Sequence, residues 1–144
     1  MAFLRHVGVT ISDLEQSLCF YRDALGFKVH KMAEESGECI DKFSALSNIK
    51  VTTVKMVDKN SNMLELLYYK SHPECAQKNK TRRITEIGCS HFALTVDDLD
   101  SLYEKLVNEG IQFNHPVQIS PDGKVKIAFC RDPDGTLIEM VEEL

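Results

Sequence analysis

No stretch of this 144-residue chain approaches the roughly 20 consecutive apolar residues that span a bilayer. The N-terminus, Met1-Ala2-Phe3-Leu4-Arg5-His6, lacks a basic segment leading into a long apolar one, so no signal peptide is expected. The cysteines, Cys19, Cys39, Cys75, Cys89 and Cys130, are odd in number and show no CxxC spacing, which argues against a disulfide framework or a cysteine zinc site. Reduced, mostly buried thiols in a cytoplasmic protein are the expectation. An excess of positive charge is also missing: the formal net charge is −5. Nucleic-acid binding through phosphates and adsorption to an anionic membrane both need clustered Lys and Arg, so neither partner is expected.

What is present is ordinary for a folded domain. The apolar share is 43% and the charged share 27%, and the length suits one compact domain or two small halves sharing a core. The informative feature is an internal repeat. His6-Val-Gly-Val-Thr-Ile-Ser-Asp-Leu-Glu15 returns as His91-Phe-Ala-Leu-Thr-Val-Asp-Asp-Leu-Asp100, at a constant offset of 85 residues. Each half closes on a similar apolar strand, Met63-Leu-Glu65-Leu-Leu67 and Leu137-Ile-Glu139-Met-Val141. Halves this small cannot each bury a core alone and are expected to pack together.

Each half reads as strand, helix, then several strands. The first strand alternates around Val7, Val9 and Ile11. The following helix is expected to start at Ser12 through a Ser12-x-x-Glu15 capping box, to bury Leu14, Leu18, Tyr21 and Leu25, and to stop at Gly26. The second helix is expected from about Asp98, with Leu99, Leu102, Tyr103 and Leu106 inward, ending at Gly110. Strands around Lys50–Val57 and Lys124–Cys130 precede the closing strands, after turns at 59–62 and at Asp132-Pro133-Asp134-Gly135. The stretch Lys31–Phe43 carries no decipherable pattern. The polar segment 70–85, with Lys78, Lys80, Arg82 and Arg83, reads as a solvated connection between halves. The resulting division is a first module at 1–70, a linker at 71–87 and a second module at 88–144.

Strand parity selects the candidate site. With Val7, Val9 and Ile11 under the helix, His6 falls on the opposite face beside Gly8 and Thr10. His91 likewise falls opposite Phe92, Leu94 and Val96, beside Ala93 and Thr95. Both histidines therefore share a face with small residues, which leaves room for a ligand. Glu65 and Glu139 each interrupt an apolar strand, where an unpaired carboxylate is costly to bury. A cation would offset that cost. Alone, each of these residues has an ordinary structural reading; recurrence at equivalent places in both halves favours a divalent-metal site of His6, Glu65, His91 and Glu139. This N2O2 set is open to nickel, zinc, cobalt, manganese or iron. His30, His72 and His115 have no counterpart in the other half and read as exposed or loop histidines. Cys89 shares parity with His91 and reads as a small buried residue; Tyr69 shares parity with Glu65.

The His6-x-Gly8 start, the Phe20-Tyr21-Arg-Asp-Ala-Leu25-Gly26-Phe27 helix end and the Asp132-Pro133-Asp134-Gly135-Thr-Leu-Ile-Glu139 close resemble the vicinal oxygen chelate superfamily. The resemblance covers nearly the whole chain except a loop expected at 31–46 and the linker. It implies an α+β fold of paired βαβββ modules, forming a curved, mostly antiparallel sheet around a metal, often in a homodimer. Glyoxalase I of the short bacterial type carries His, Glu, His and Glu at the four places occupied here by His6, Glu65, His91 and Glu139. The activity so implied is a metal-dependent lyase or isomerase reaction on a small-molecule substrate, by proton transfer next to a carbonyl through a metal-stabilised enediolate. Glu139 is the first choice of base and Glu65 the second. Glutathione is less clearly implied, because Thr10 and Tyr69 stand where those enzymes use Arg and Asn to hold it. The alternatives are an enzyme like methylmalonyl-CoA epimerase or another member including the dioxygenases, and a metal-free drug-binding protein of the bleomycin-resistance type.

Overall fold

The computed structural model describes residues 1–73 and 83–144. Cys75 and the basic residues Lys78, Lys80 and Arg82 lie outside the described residues. The chain divides into two compact units, Met1–Lys78 and Asn79–Leu144.

In the first unit β1 (Val7–Ile11) leads into helix α1 (Leu14–Leu18), which continues as a π-helical turn over Cys19–Ala24. Then come β2 (Lys28–Ser36), helix α2 (Glu38–Ser44), β3 (Lys50–Val57) and β4 (Met63–Tyr69). The sheet order is β1-β4-β3-β2, with β1 parallel to β4 and the other neighbours antiparallel. The second unit runs β5 (Phe92–Thr95), α3 (Leu99–Asn108), β6 (Gln118–Ile119), β7 (Val125–Arg131) and β8 (Leu137–Glu143). Its order, β5-β8-β7-β6, repeats the first, again with one parallel pair, β5 with β8. The architecture is α+β: two four-stranded mixed sheets and, among the described residues, three α-helices, with no closed barrel. No helix among those residues is long and apolar enough to cross a membrane.

Three local expectations need correction. The cap of α1 is Asp13, one residue after the expected Ser12, and its Oδ1 accepts the Gln16 N–H at 3.0 Å. A carboxylate at this place satisfies an exposed N–H of the first turn and favours the helix N-terminus by charge as well. Beyond Leu18 the hydrogen bonds widen, with Leu25 N–H reaching Phe20 O at 3.0 Å. This π turn inserts an extra residue, so that adjacent Phe20 and Tyr21 are both buried, edge to face at 4.9 Å between ring centroids. Second, the segment 31–46 is not a loop: it holds most of β2 and all of α2. Third, of the described cysteines only Cys130 is buried, whereas Cys19, Cys39 and Cys89 are exposed.

The second helix starts as expected, with Asp98 Oδ1 accepting the Ser101 N–H at 3.0 Å and Leu99 and Leu106 fully buried. It is also pinned to the sheet: Glu142 on β8 accepts the Leu99 N–H at 2.7 Å, while Lys126 on β7 pairs with Glu142 and with Asp100. The Asp100 hydrogen bond and the Glu142 carboxylate hold the Lys126 ammonium above the usual lysine range.

Candidate metal centre

The structure joins the four predicted residues as two pairs, one in each unit. His6 and His91 lie immediately before β1 and β5, and Glu65 and Glu139 are the third residues of β4 and β8. In the parallel ladders Gly8 stands opposite Glu65 and Ala93 opposite Glu139. A histidine two residues before that partner keeps its parity and reaches the carboxylate. His6 Nε2 is 3.2 Å from Glu65 Oε2, and His91 Nε2 is 3.2 Å from Glu139 Oε2. The same two atoms meet at the same distance in both halves.

The register is set just upstream of each closing strand. Asp58 Oδ1 accepts the N–H groups of Asn60 and Asn62, both at 2.8 Å. Asp132 Oδ1 accepts those of Asp134 at 3.0 Å and Thr136 at 2.7 Å. Each aspartate lies seven residues before its glutamate and folds the turn that aims it. Burial pushes the Asp58 carboxyl up, but the donors of Asn62 and Asn60 outweigh it and hold the group below the usual range. Asp132 is 4% exposed, and Arg131 braces the same turn through Gly135 O at 2.8 Å. Gly135, at φ 92°, occupies a conformation that other residues adopt only with strain.

The two pairs have different surroundings. Across β3–β4, Lys55 is the register partner of Glu65, with its Nζ 3.8 Å from Glu65 Oε1. Across β7–β8, Phe129 is the register partner of Glu139 and lies edge to face with the His91 ring at 5.3 Å. Ser90 Oγ is 2.8 Å from His91 Nδ1, whereas His6 Nδ1 is buried with no hydrogen-bond partner among the described residues. In the first unit Val51, Leu67 and Tyr69 share the Glu65 face and pack with Ile40 of α2 and with Ile49. Helix α2 therefore covers one end of that face.

Lys55, Ser90, Phe129 and Asp58 were not singled out by the sequence reading, which named Asp132 only as part of a turn. A lysine inside the apolar run Val51–Val57 was the available signal for Lys55, but only the strand register pairs it with Glu65. His30 is an exposed residue of β2, His115 is exposed, and half-buried His72 contacts Ser71 Oγ through Nδ1 at 2.7 Å. Cys89 is exposed rather than a small buried residue.

Each pair fits a metal ion chemically. Nitrogen and oxygen ligands bind such ions at roughly 2.0–2.2 Å, so neighbouring donors on one ion stand about 3 Å apart. With Ser90 on Nδ1, the Nε2 of His91 is the nitrogen turned to Glu139, the usual arrangement for a ligating imidazole. Among the described residues, no set of three or more His, Cys, Asp or Glu side chains gathers to hold an ion. Each pair supplies two donors.

Comparison with known proteins agrees with this frame. A lactoylglutathione lyase of Schizosaccharomyces pombe is 30% identical over 97% of this chain, which spans about half (47%) of that protein's length. A lactoylglutathione lyase of Escherichia coli O157:H7 is 30% identical, with 97% of this chain and 92% of that one aligned. In solved structures, a glyoxalase family protein from Bacillus cereus has the same fold, with a TM-score of 0.90 at 21% identity over 100% of this chain and 95% of that chain. The sequence profile of the Glyoxalase/Bleomycin resistance protein/Dioxygenase superfamily matches residues 3–140. The chain belongs to that superfamily, the vicinal oxygen chelate proteins.

Proposed function

We propose that His6, Glu65, His91 and Glu139 together hold one divalent metal ion, and that the protein is a glyoxalase I-like lyase or isomerase. The observation that carries this reading is the duplicated Nε2–Oε2 contact of 3.2 Å, made in the same register in both units. The 30% identity to proteins named lactoylglutathione lyase supports the reaction class. A bound divalent ion supplies Lewis-acid stabilisation of negative charge developing on adjacent substrate oxygens.

The protein's own groups do the rest. His6 and His91 donate Nε2 throughout. Glu139, at 22% side-chain exposure, takes a proton from the carbon next to the carbonyl and returns it to the neighbouring carbon. Glu65 is 13% exposed and remains a ligand. Gly8, Thr10, Ala93 and Thr95 keep the substrate side open, and α2 bounds one end of the first unit's face. The protein acts in this reading as a homodimer on a small molecule, with nickel, zinc, cobalt, manganese or iron as the ion.

The test is metal analysis of the purified protein after supply of nickel, zinc or cobalt, followed by turnover assays with methylglyoxal plus glutathione and plus other thiols. Retention of one ion per His2Glu2 set, lost in His6→Ala and His91→Ala, is the expected result. A protein that retains no divalent ion overturns the reading.

A further inference from the structure

We propose that Lys55 is a positioning residue that ties down Glu65, and so leaves Glu139 as the carboxylate free to carry the proton. The inference rests on the metal reading above and deepens it.

The repeat makes the two glutamates formally equivalent, but their neighbours are not. Glu65 is engaged at both oxygens, Oε2 by His6 at 3.2 Å and Oε1 by the Lys55 ammonium at 3.8 Å. Among the described residues Glu139 is paired through Oε2 alone, to His91. The position that holds Lys55 in the first unit holds Phe129 in the second, and an aromatic ring offers a carboxylate no cation. Phe129 instead packs on His91, whose far nitrogen is fixed by Ser90. The first unit thus restrains its carboxylate and the second restrains its histidine.

This asymmetry bears on chemistry. A carboxylate that serves as a base must leave its ligand position and return. Coulomb attraction between Lys55 and Glu65 opposes such a departure, more strongly than in water because the Glu65 side chain is largely buried. The rung continues from Lys55 to Lys31 on β2, so the attractive neighbour of Lys55 along it is Glu65. Glu139 has no such restraint and is the more exposed of the two.

The test uses the full chain. Cobalt(II) is titrated by calorimetry into the metal-free wild type, Lys55→Met, Lys55→Arg and Phe129→Lys, and the visible spectrum of each cobalt form is recorded. Lys55→Gln stands in for Lys55→Met if circular dichroism shows the latter to be unfolded. Loss of Lys55 is expected to weaken cobalt binding about ten-fold, as for other groups that orient a ligand, and to alter the spectrum. Lys55→Arg is expected to restore both. Phe129→Lys, which places a cation opposite Glu139, is expected to bind cobalt at least as tightly but with lower kcat at unchanged KM. A wild type that binds cobalt, with Lys55→Met matching it in affinity and spectrum, overturns this inference and leaves the metal reading standing. A wild type that binds no metal overturns both.

Discussion

Gly8 is the register partner of Glu65 across the parallel strands β1 and β4, so the carboxylate rises beside a residue with no side chain. The second unit places Ala93 in the same relation to Glu139. A Cβ built on Gly8 meets Leu67 Cδ1 at 3.6 Å, an ordinary contact, and its backbone is not in the left-handed region. Gly8→Ala is therefore expected to fold and bind metal like the wild type. A gain of roughly 0.4–1 kcal/mol is expected from the reduced freedom of the unfolded chain. Denaturant titration and calorimetry measure the two quantities; a large loss of metal binding would mean the opening beside Glu65 is smaller than a methyl group.

Glu139→Gln separates an enzyme from a binding protein. The amide keeps the shape of the side chain but cannot accept a proton at neutral pH. Turnover is expected to fall by about 10²–10⁴, the usual contribution of a positioned base, with secondary structure retained by circular dichroism. Unaltered affinity for a small molecule with no metal requirement would instead identify a metal-free binder.

The aspartate turns carry a stability prediction. Asp132→Ala strips the acceptor from two N–H groups in a turn where the side chain is 4% exposed, and is expected to cost about 1–3 kcal/mol. Asp132→Asn, which keeps an oxygen at that place, should lose much less. Thermal or urea unfolding distinguishes them, and equal losses would show that the charge rather than the two hydrogen bonds holds the turn.

Cys130 supplies a pH prediction. Burial, reinforced by nearby Asp132, pushes its thiol up to about 12. The unfolded chain ionises this group at lower pH, so its contribution to stability is complete below the unfolded pKa, near 9, and is lost as pH rises through about 12. Unfolding curves collected across that window should show a smaller alkaline loss for Cys130→Ala than for the wild type. Under native conditions an alkylating reagent should modify Cys19, Cys39 and Cys89 and spare Cys130.

How much of this was legible in the sequence depended on periodicity. Strands β1, β4, β7 and β8 and helix α3 each bury one face, and the alternation or helical spacing that results can be read directly, whereas β3 is buried on both faces and reads as a run of β-branched residues. The four ligand candidates followed from parity and repetition, and the structure pairs them as His6 with Glu65 and His91 with Glu139. Strand β2 was missed because it is largely exposed on both faces, so Lys28, His30, Lys31, Glu34 and Glu35 follow no alternation. Its order comes from pairing along β3, from Lys28 opposite Val57 to Ser36 opposite Lys50, which no local pattern records. Lys55 was missed for a related reason. Its importance lies in a register partner ten residues away in sequence.

The parallel ladders also impose an order of assembly. Strands β3 and β4 join through a short turn, but β1 must find β4 across most of the first unit, from Val7 to Leu64. Closing so long a loop costs entropy that only the completed contacts repay, which makes it a late event. The His6–Glu65 pair sits at that seam, and His91–Glu139 sits at its counterpart, where β5 meets β8. Neither two-donor arm exists before its first strand docks. An ion that recognises these arms consequently binds the finished chain and not its precursors, and draws the folding equilibrium forward in proportion to its concentration.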